Sequence, residues 1–212
     1  SLSSLERKLC KWFCEKLGFG DLSGGVAASG GSLSNLMALV MARNISGLES
    51  DPSAVFFASD DCHVSLLKAV RIMGLKEDSL QKVPTDENGK LNVSCLASIL
   101  KKIKVEGKNC FAVVATAGTT VRGAIDPLSE IARFCQKENI WLHVDGAIGG
   151  IYGLSTMNSG LVENIGSADS ITINPQKILG ISKTSSLLLV ANKSHLSTTF
   201  STGLPYAEQL SG

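Results

Sequence analysis

Long hydrophobic runs are missing from this 212-residue chain. The longest, such as Ser186 to Ala191, are of strand length. They fall far short of the roughly 18–20 residues that cross a bilayer. Net charge is nearly missing too, since 20 Lys and Arg stand against 19 Asp and Glu, leaving +1. That balance gives no electrostatic footing for nucleic acid or an anionic membrane, and neither is expected as a partner. The 6 cysteines (Cys10, Cys14, Cys62, Cys95, Cys110 and Cys135) contain no CxxC pair. This excludes the spacing of a zinc ribbon or a disulfide scaffold. Cys10 and Cys14 share a helix face and read as a core pair, so no metal is expected. Aromatics are scarce, with 7 Phe, 2 Trp and 2 Tyr against 21 Gly, which predicts many close backbone approaches and few bulky plugs. No secretion signal is visible, because the chain opens on an amphipathic charged segment. A cytoplasmic location is the expectation, and the sequons at Asn44, Asn92 and Asn192 read as chance.

What is present is enough apolar surface for a core: 44% apolar and 18% charged residues, which excludes disorder. The length fits one large domain, with at most a small appendage. Residues 2–17 place Leu2, Leu5, Leu9, Trp12, Phe13 and Leu17 on one helical stripe. Ser3 and Glu6 are spaced as a capping box, and Gly18 suits the stop. A Gly/Ser-rich stretch from Gly24 to Ser34 runs into a helix over Asn35 to Asn44.

Strands are predicted at 54–58, 80–83, 111–115, 140–144, 170–173 and 186–190. Helices are predicted at 63–73, 92–104 and from Pro127 to about Glu138, with Pro127 in the first turn. Strands alternate with helices and read as continuous apolar runs. The pattern argues for an α/β fold, a mostly parallel sheet flanked by helices and buried on both faces.

In such sheets ligands bind beyond the carboxyl ends of the strands. After 54–58 come Asp60, Asp61 and His63. After 111–115 comes Thr116, after 140–144 comes Asp145, and after 170–173 come Asn174 and Lys177. Four strands thus deliver His, Thr, Asp and Lys to one edge. Gly30-Gly31-Ser32 before a helix can be a turn or a phosphate site at the positive end of the macrodipole. It is not GxGxxG and lacks the P-loop lysine. Asp145 can cap the next turn, or pair with a protonated heteroaromatic nitrogen. His143 lies on the same strand face and reads as a supporting or packing residue. Lys177 can be a solvated surface lysine or a nucleophile towards a carbonyl, with Lys68 as the competing candidate. His63 can be a capping or core histidine, or a flat ring laid over a flat cofactor.

Taken in order, these stretches resemble the group II pyridoxal-5′-phosphate-dependent amino-acid decarboxylases of the aspartate-aminotransferase-like fold. The matching runs are Ser29 to Asn35, Ala42-Arg43, His63-Val64-Ser65 with Lys68-Ala69, Thr116 to Thr120, Gly123 to Pro127, Trp141 to Ala147 with Gly149-Gly150, and Ala168 to Lys177. The resemblance implies pyridoxal 5′-phosphate as cofactor, an amino acid as substrate and a homodimer. It implies Lys177, His63 and Asp145 as catalytic residues. In its terms Lys177 forms a Schiff base with the cofactor, Asp145 pairs with the pyridine nitrogen and His63 stacks on the ring. Gly31, Ser32 and Asn174 take the phosphate, Thr116 lies close to the ring and Ala147 packs against it.

Residues 1–191 then correspond to the cofactor-binding large domain, without the family's N-terminal part and small domain. Residues 192–212 are the start of the next segment of the family's chain. Gln176 stands where the family usually has His, and Gly146 where Ala is more usual. A carbon–carbon lyase of the same fold and a non-catalytic cofactor-binding domain are the alternatives to a decarboxylase.

Overall fold

The computed structural model describes residues 1–183 and 185–201. Its strands are β1 (Gly24–Ala28), β2 (Ala54–Ser59), β3 (Leu80–Val83), β4 (Asn109–Thr116), β5 (Trp141–Gly146), β6 (Ser170–Ile173) and β7 (Ser186–Val190). They form one sheet in the order β1-β7-β6-β5-β4-β2-β3. The run from β6 through β5, β4 and β2 to β3 is parallel. Only β7 is antiparallel to both its neighbours. The helices are α1 (Leu2–Lys16), α2 (Gly31–Ile45), α3 (Ser65–Ile72), α4 (Val93–Val105), α5 (Leu128–Glu138), α6 (Pro175–Ile178) and α7 (Ser194–Phe200).

Both sheet faces are covered, and the period of two along each strand sorts the side chains between them. Val55 and Phe57 join Val113, Leu142 and Val144 under α1, α4 and α5, with Phe13, Leu100 and Ile131 from those helices. Phe56 and Ala58 join Ala112, Val114 and Leu188 under α2 and α3, with Leu39, Met41, Leu66 and Val70. Two buried faces explain why the strands read as unbroken apolar runs rather than alternating ones.

Four local expectations change. The stripe on α1 joins two faces of the helix. Its core side is Cys10, Phe13, Cys14 and Leu17, while Leu2 is 86% exposed and Trp12 44%. Periodicity finds the apolar positions but not which of two overlapping stripes the sheet covers. The helix is capped by Ser1, whose hydroxyl accepts from the Ser4 N–H. Glu6 instead accepts the Ala27 N–H at 2.6 Å and so ties α1 to β1. The Gly/Ser-rich stretch contains a strand: β1 pairs with β7, and a Cβ on Gly25 would lie 2.9 Å from the Leu189 side chain. Helix α2 accordingly starts at Gly31 and not at Asn35. Pro127 sits at the N-cap of α5 rather than inside its first turn. Of the segment 192–212, Ser194–Phe200 form α7, and residues 202–212 lie outside the described residues. Among the described residues no helix is long and apolar enough to cross a membrane.

Candidate functional site at the carboxyl edge of the sheet

From β2 the chain steps outward to β3, then returns to the other side of β2 and proceeds through β4, β5 and β6. The order therefore reverses between β2 and β4. Such a switch opens a crevice at the carboxyl ends of the strands. His63 follows β2 on one side of it, and Thr116 ends β4 on the other. Thr116 is paired in register with Asp145 on β5, and Asn174 follows β6.

Helix α2 brings its N-terminus to this edge. Gly30, its N-cap, carries no side chain to cap it. The first intrahelical bonds run from Leu33 and Ser34 back to the Gly30 carbonyl. The N–H groups of Gly31 and Ser32 precede them and are free for an anion. Gly31 is pressed against Asn174, so that a Cβ there would lie 2.7 Å from Nδ2. Asn174 is itself buried, and its Oδ1 has no partner among the described residues. Thr116 is buried as well. Its N–H donates to Asp126 Oδ2 at 2.7 Å, while its hydroxyl has no partner among the described residues. Orphaned polar atoms are rare in folded chains and mark places where a further group belongs. Two free N–H groups, an orphaned amide oxygen and an orphaned hydroxyl beside a carboxylate form a donor and acceptor set that fits a phosphorylated heteroaromatic group.

Asp145 is 5% exposed. Its Oδ2 accepts from Asn35 Nδ2 at 2.8 Å and its Oδ1 from the Ala147 N–H at 3.2 Å. Among the described residues it has no ion pair. Ala147 is buried beside it. His143, two residues earlier on the strand, is fully buried. Its Nδ1 faces Ser170 Oγ at 2.9 Å and its Nε2 faces Asn35 Oδ1 at 3.1 Å. Burial pushes its pKa down to about 4 against the opposing pull of Asp145, so the ring is neutral at physiological pH. His63 is half-buried just before α3. Its Nδ1 accepts from the Ser65 N–H at 3.1 Å and faces Ser65 Oγ at 2.9 Å.

Lys177 lies at the same edge, exposed in the single turn of α6, with its N–H bonded to the Asn174 carbonyl at 3.0 Å. Its side chain makes no hydrogen bond or ion pair among the described residues. The structure therefore joins Gly31 to Asn174, and Thr116 and Ala147 to Asp145, by direct neighbourhood. It joins His63 to Asp145 through Ser65 and Asn35. Ser32 is exposed beside Gly31, and Lys68 is exposed on α3. Gln176 is committed elsewhere: its Oε1 accepts from the Ser185 N–H at 3.2 Å and from its hydroxyl at 3.0 Å. Its Nε2 donates to Ser186 Oγ at 3.2 Å.

Sequence reasoning did not single out Asn35, Ser65 or Asp126. The first was detectable, because Asn35 shares a helical face with Ala38, Leu39 and Ala42, where a polar residue requires a buried partner. Asp126 offered no such signal between Ile125 and Pro127.

Residues 4–211 match the model of the pyridoxal-dependent decarboxylase conserved domain. An aromatic-L-amino-acid decarboxylase of Bacillus atrophaeus is 37% identical over 92% of the chain and 41% of that protein. A cysteine sulfinic acid decarboxylase of Rattus norvegicus is 40% identical over 81% of the chain and 36% of that protein. The crystal structure of mouse CSAD in its apo form superposes with a TM-score of 0.89 at 34% identity, covering 94% of this chain and 44% of that one. The chain thus spans about two fifths of the length of these relatives. With the fold, the edge residues and the match over almost the whole length in agreement, the chain belongs to the pyridoxal-dependent decarboxylase family.

Proposed function

We propose that this chain is the cofactor-binding large domain, residues 1–191, of an enzyme that decarboxylates an L-amino acid to an amine and carbon dioxide. The observation that carries the reading is Asp145, a buried carboxylate at the switch-point edge with no cation beside it among the described residues. Burying an unpaired charge costs several kcal/mol, about the scale of a whole protein's stability. A protonated ring nitrogen is the partner that offsets it. Bound pyridoxal phosphate supplies the electron sink that accepts the pair left behind when a carboxylate departs as carbon dioxide.

In this reading the remaining roles belong to the chain's own groups. The Lys177 amine would hold the cofactor through its aldehyde and would be the group released when the substrate amine binds. Its exposure, and its lack of a side-chain partner among the described residues, would leave it free to move between those two jobs. The Gly31 and Ser32 N–H groups take the phosphate at the positive end of α2, and the Asn174 amide adds a further polar contact. Asp145 keeps the ring nitrogen protonated. The Thr116 hydroxyl and Ala147 line the ring, and His63 covers its face. Gln176 is held by Ser185 and Ser186, so it acts as a tie between the Lys177 segment and β7, not as a proton donor. The outward stripe of α1 is surface for the rest of a longer chain or for a second copy, and we take the assembly to be a homodimer.

The test is the visible absorption of the purified chain with added pyridoxal phosphate, beside Lys177→Ala, followed by carbon dioxide release from a panel of amino acids. A band that needs Lys177 is the expected result. A spectrum identical in the two proteins would sink the assignment. Release of an aldehyde instead of carbon dioxide would move the chain to carbon–carbon lyase chemistry.

A further inference from the structure

Asn35 uses its whole side chain. One N–H goes to Asp145 Oδ2 at 2.8 Å, the other to Ser65 Oγ at 3.1 Å, and its Oδ1 faces His143 Nε2 at 3.1 Å. It is 1% exposed. The directions of these bonds are forced. A carboxylate accepts only, so the amide must turn its nitrogen towards Asp145 and its oxygen towards His143. His143 must then carry its proton on Nε2. Its bare Nδ1 accepts from the Ser170 hydroxyl, whose oxygen in turn accepts from Trp141 Nε1 at 2.9 Å. On the other side, the Ser65 hydroxyl accepts from Asn35 and donates to His63 Nδ1, the ring nitrogen that the Ser65 N–H, at 3.1 Å, already keeps bare. The Thr172 hydroxyl is a second, longer neighbour of His143 Nε2 at 3.4 Å, and the Asp145 charge, by fixing the Asn35 amide, sets the direction of the shorter bond from His143.

We propose that Asn35 is a positioning residue: it fixes the aim of the Asp145 carboxylate, the tautomer of His143 and, through the Ser65 hydroxyl, the seat of His63. Asn35 lies one turn into α2, the helix whose first N–H groups stand at the phosphate end of the site. One helix therefore ties the phosphate end to the carboxylate at the ring end and sets their separation. The role towards the cofactor rests on the functional reading above. The frame itself is a property of the chain alone.

Two measurements separate them. The first is the nitrogen spectrum of the 3 histidines in the cofactor-free chain, which reads each tautomer directly. The wild type should show His143 as a neutral Nε2–H ring, and Asn35→Ala should mix its tautomers. The second is titration with pyridoxal phosphate. Asn35→Ala should bind about tenfold more weakly or worse, the scale of a lost hydrogen bond to a charged group, with a shifted absorption band. Asn35→Asp keeps the volume but removes the donor, so it should be at least as impaired; a purely space-filling role would leave it near wild type. Asn35→Asp also serves if Asn35→Ala does not fold, while Ser65→Ala, which leaves the Asn35 bonds to Asp145 and His143 intact, should keep the His143 tautomer.

An unchanged His143 tautomer in the Asn35 variants would overturn the frame. Unchanged affinity and band would overturn the positioning role. A wild type that binds no pyridoxal phosphate would refute the functional reading and this role with it, while the nitrogen spectrum would still decide the frame.

Discussion

Asp126 should make this chain lose stability as the pH rises from 4 to 7, and Asp126→Asn should remove that loss. The carboxyl is 2% exposed, and its oxygens accept the Leu91 and Thr116 N–H groups, each at 2.7 Å. Those donors favour the charged form, but burial outweighs them, with Asp86 and Asp61 adding repulsion. The pKa rises from 3.8 to about 6. The native state therefore holds this proton longer than the unfolded chain does. Its contribution is fully present below about pH 4 and is lost as the pH climbs through about 6. The gap between the two values corresponds to about 3 kcal/mol. In Asp126→Asn a single amide oxygen faces two N–H donors, so one backbone N–H is left opposite an NH₂ group. That costs roughly 1–3 kcal/mol at every pH. The variant should thus be the less stable protein at pH 4, with the deficit shrinking by about 3 kcal/mol, or reversing, by pH 8. Urea unfolding of both proteins under reductant, from pH 4 to 8, gives the difference curve, in which acid effects elsewhere cancel. A difference constant to within about 0.5 kcal/mol, the usual error of additivity, would refute the reasoning. Because Asp126 holds the Thr116 backbone, any change in cofactor affinity over the same range should follow the same curve.

Two glycines give sharper contrasts. Gly31→Ala suits a helix start but pushes into the buried Asn174 amide; melting should change little, while calorimetric affinity for pyridoxal phosphate falls about tenfold, the scale of one charge-assisted contact. Unchanged affinity would remove the Gly31–Asn174 contact from the phosphate site. Gly166→Ala does the reverse: its Cβ would run into the backbone of Leu17 and Gly18, which cannot give way as a side-chain tip can. It should lose roughly 1–3 kcal/mol in urea unfolding with cofactor affinity untouched, and an unchanged midpoint would refute the contact.

The sheet was legible because its strands are buried on both faces. Runs such as Val55-Phe56-Phe57 have no polar side to interrupt them, and the alternation with helices leaves few topologies open. Beyond these strands legibility fades. β1 was hidden because Gly24-Gly25 reads as a loop, whereas glycine is there to let β1 approach β7. The face of α1 was misread for a related reason: which stripe becomes core depends on where β1 and β7 lie, and the helix sequence does not record that.

At the site the same division holds between what a strand end announces and what a fold assembles. His63, Thr116, Asp145 and Lys177 could be singled out because each lies at or just beyond the carboxyl end of a strand, and the carboxyl edge of a parallel sheet is fixed by topology alone. Asn35 could not be given its role that way. It serves Asp145 from 110 positions away and Ser65 from 30, and nothing in a single sequence pairs those positions. Yet the physics that hid the pairing also makes it stringent. A buried carboxylate tolerates only donors around it, a buried amide must satisfy both its ends, and a buried neutral imidazole must place one proton. Three separately ambiguous residues thereby leave a single consistent assignment of hydrogens, running from Trp141 through His143 and Asn35 to Asp145 and to His63. Such a frame is stiff by construction, because turning any one member strands a donor or an acceptor in the interior. That stiffness is what a site needs if it is to hold one carboxylate at a fixed place.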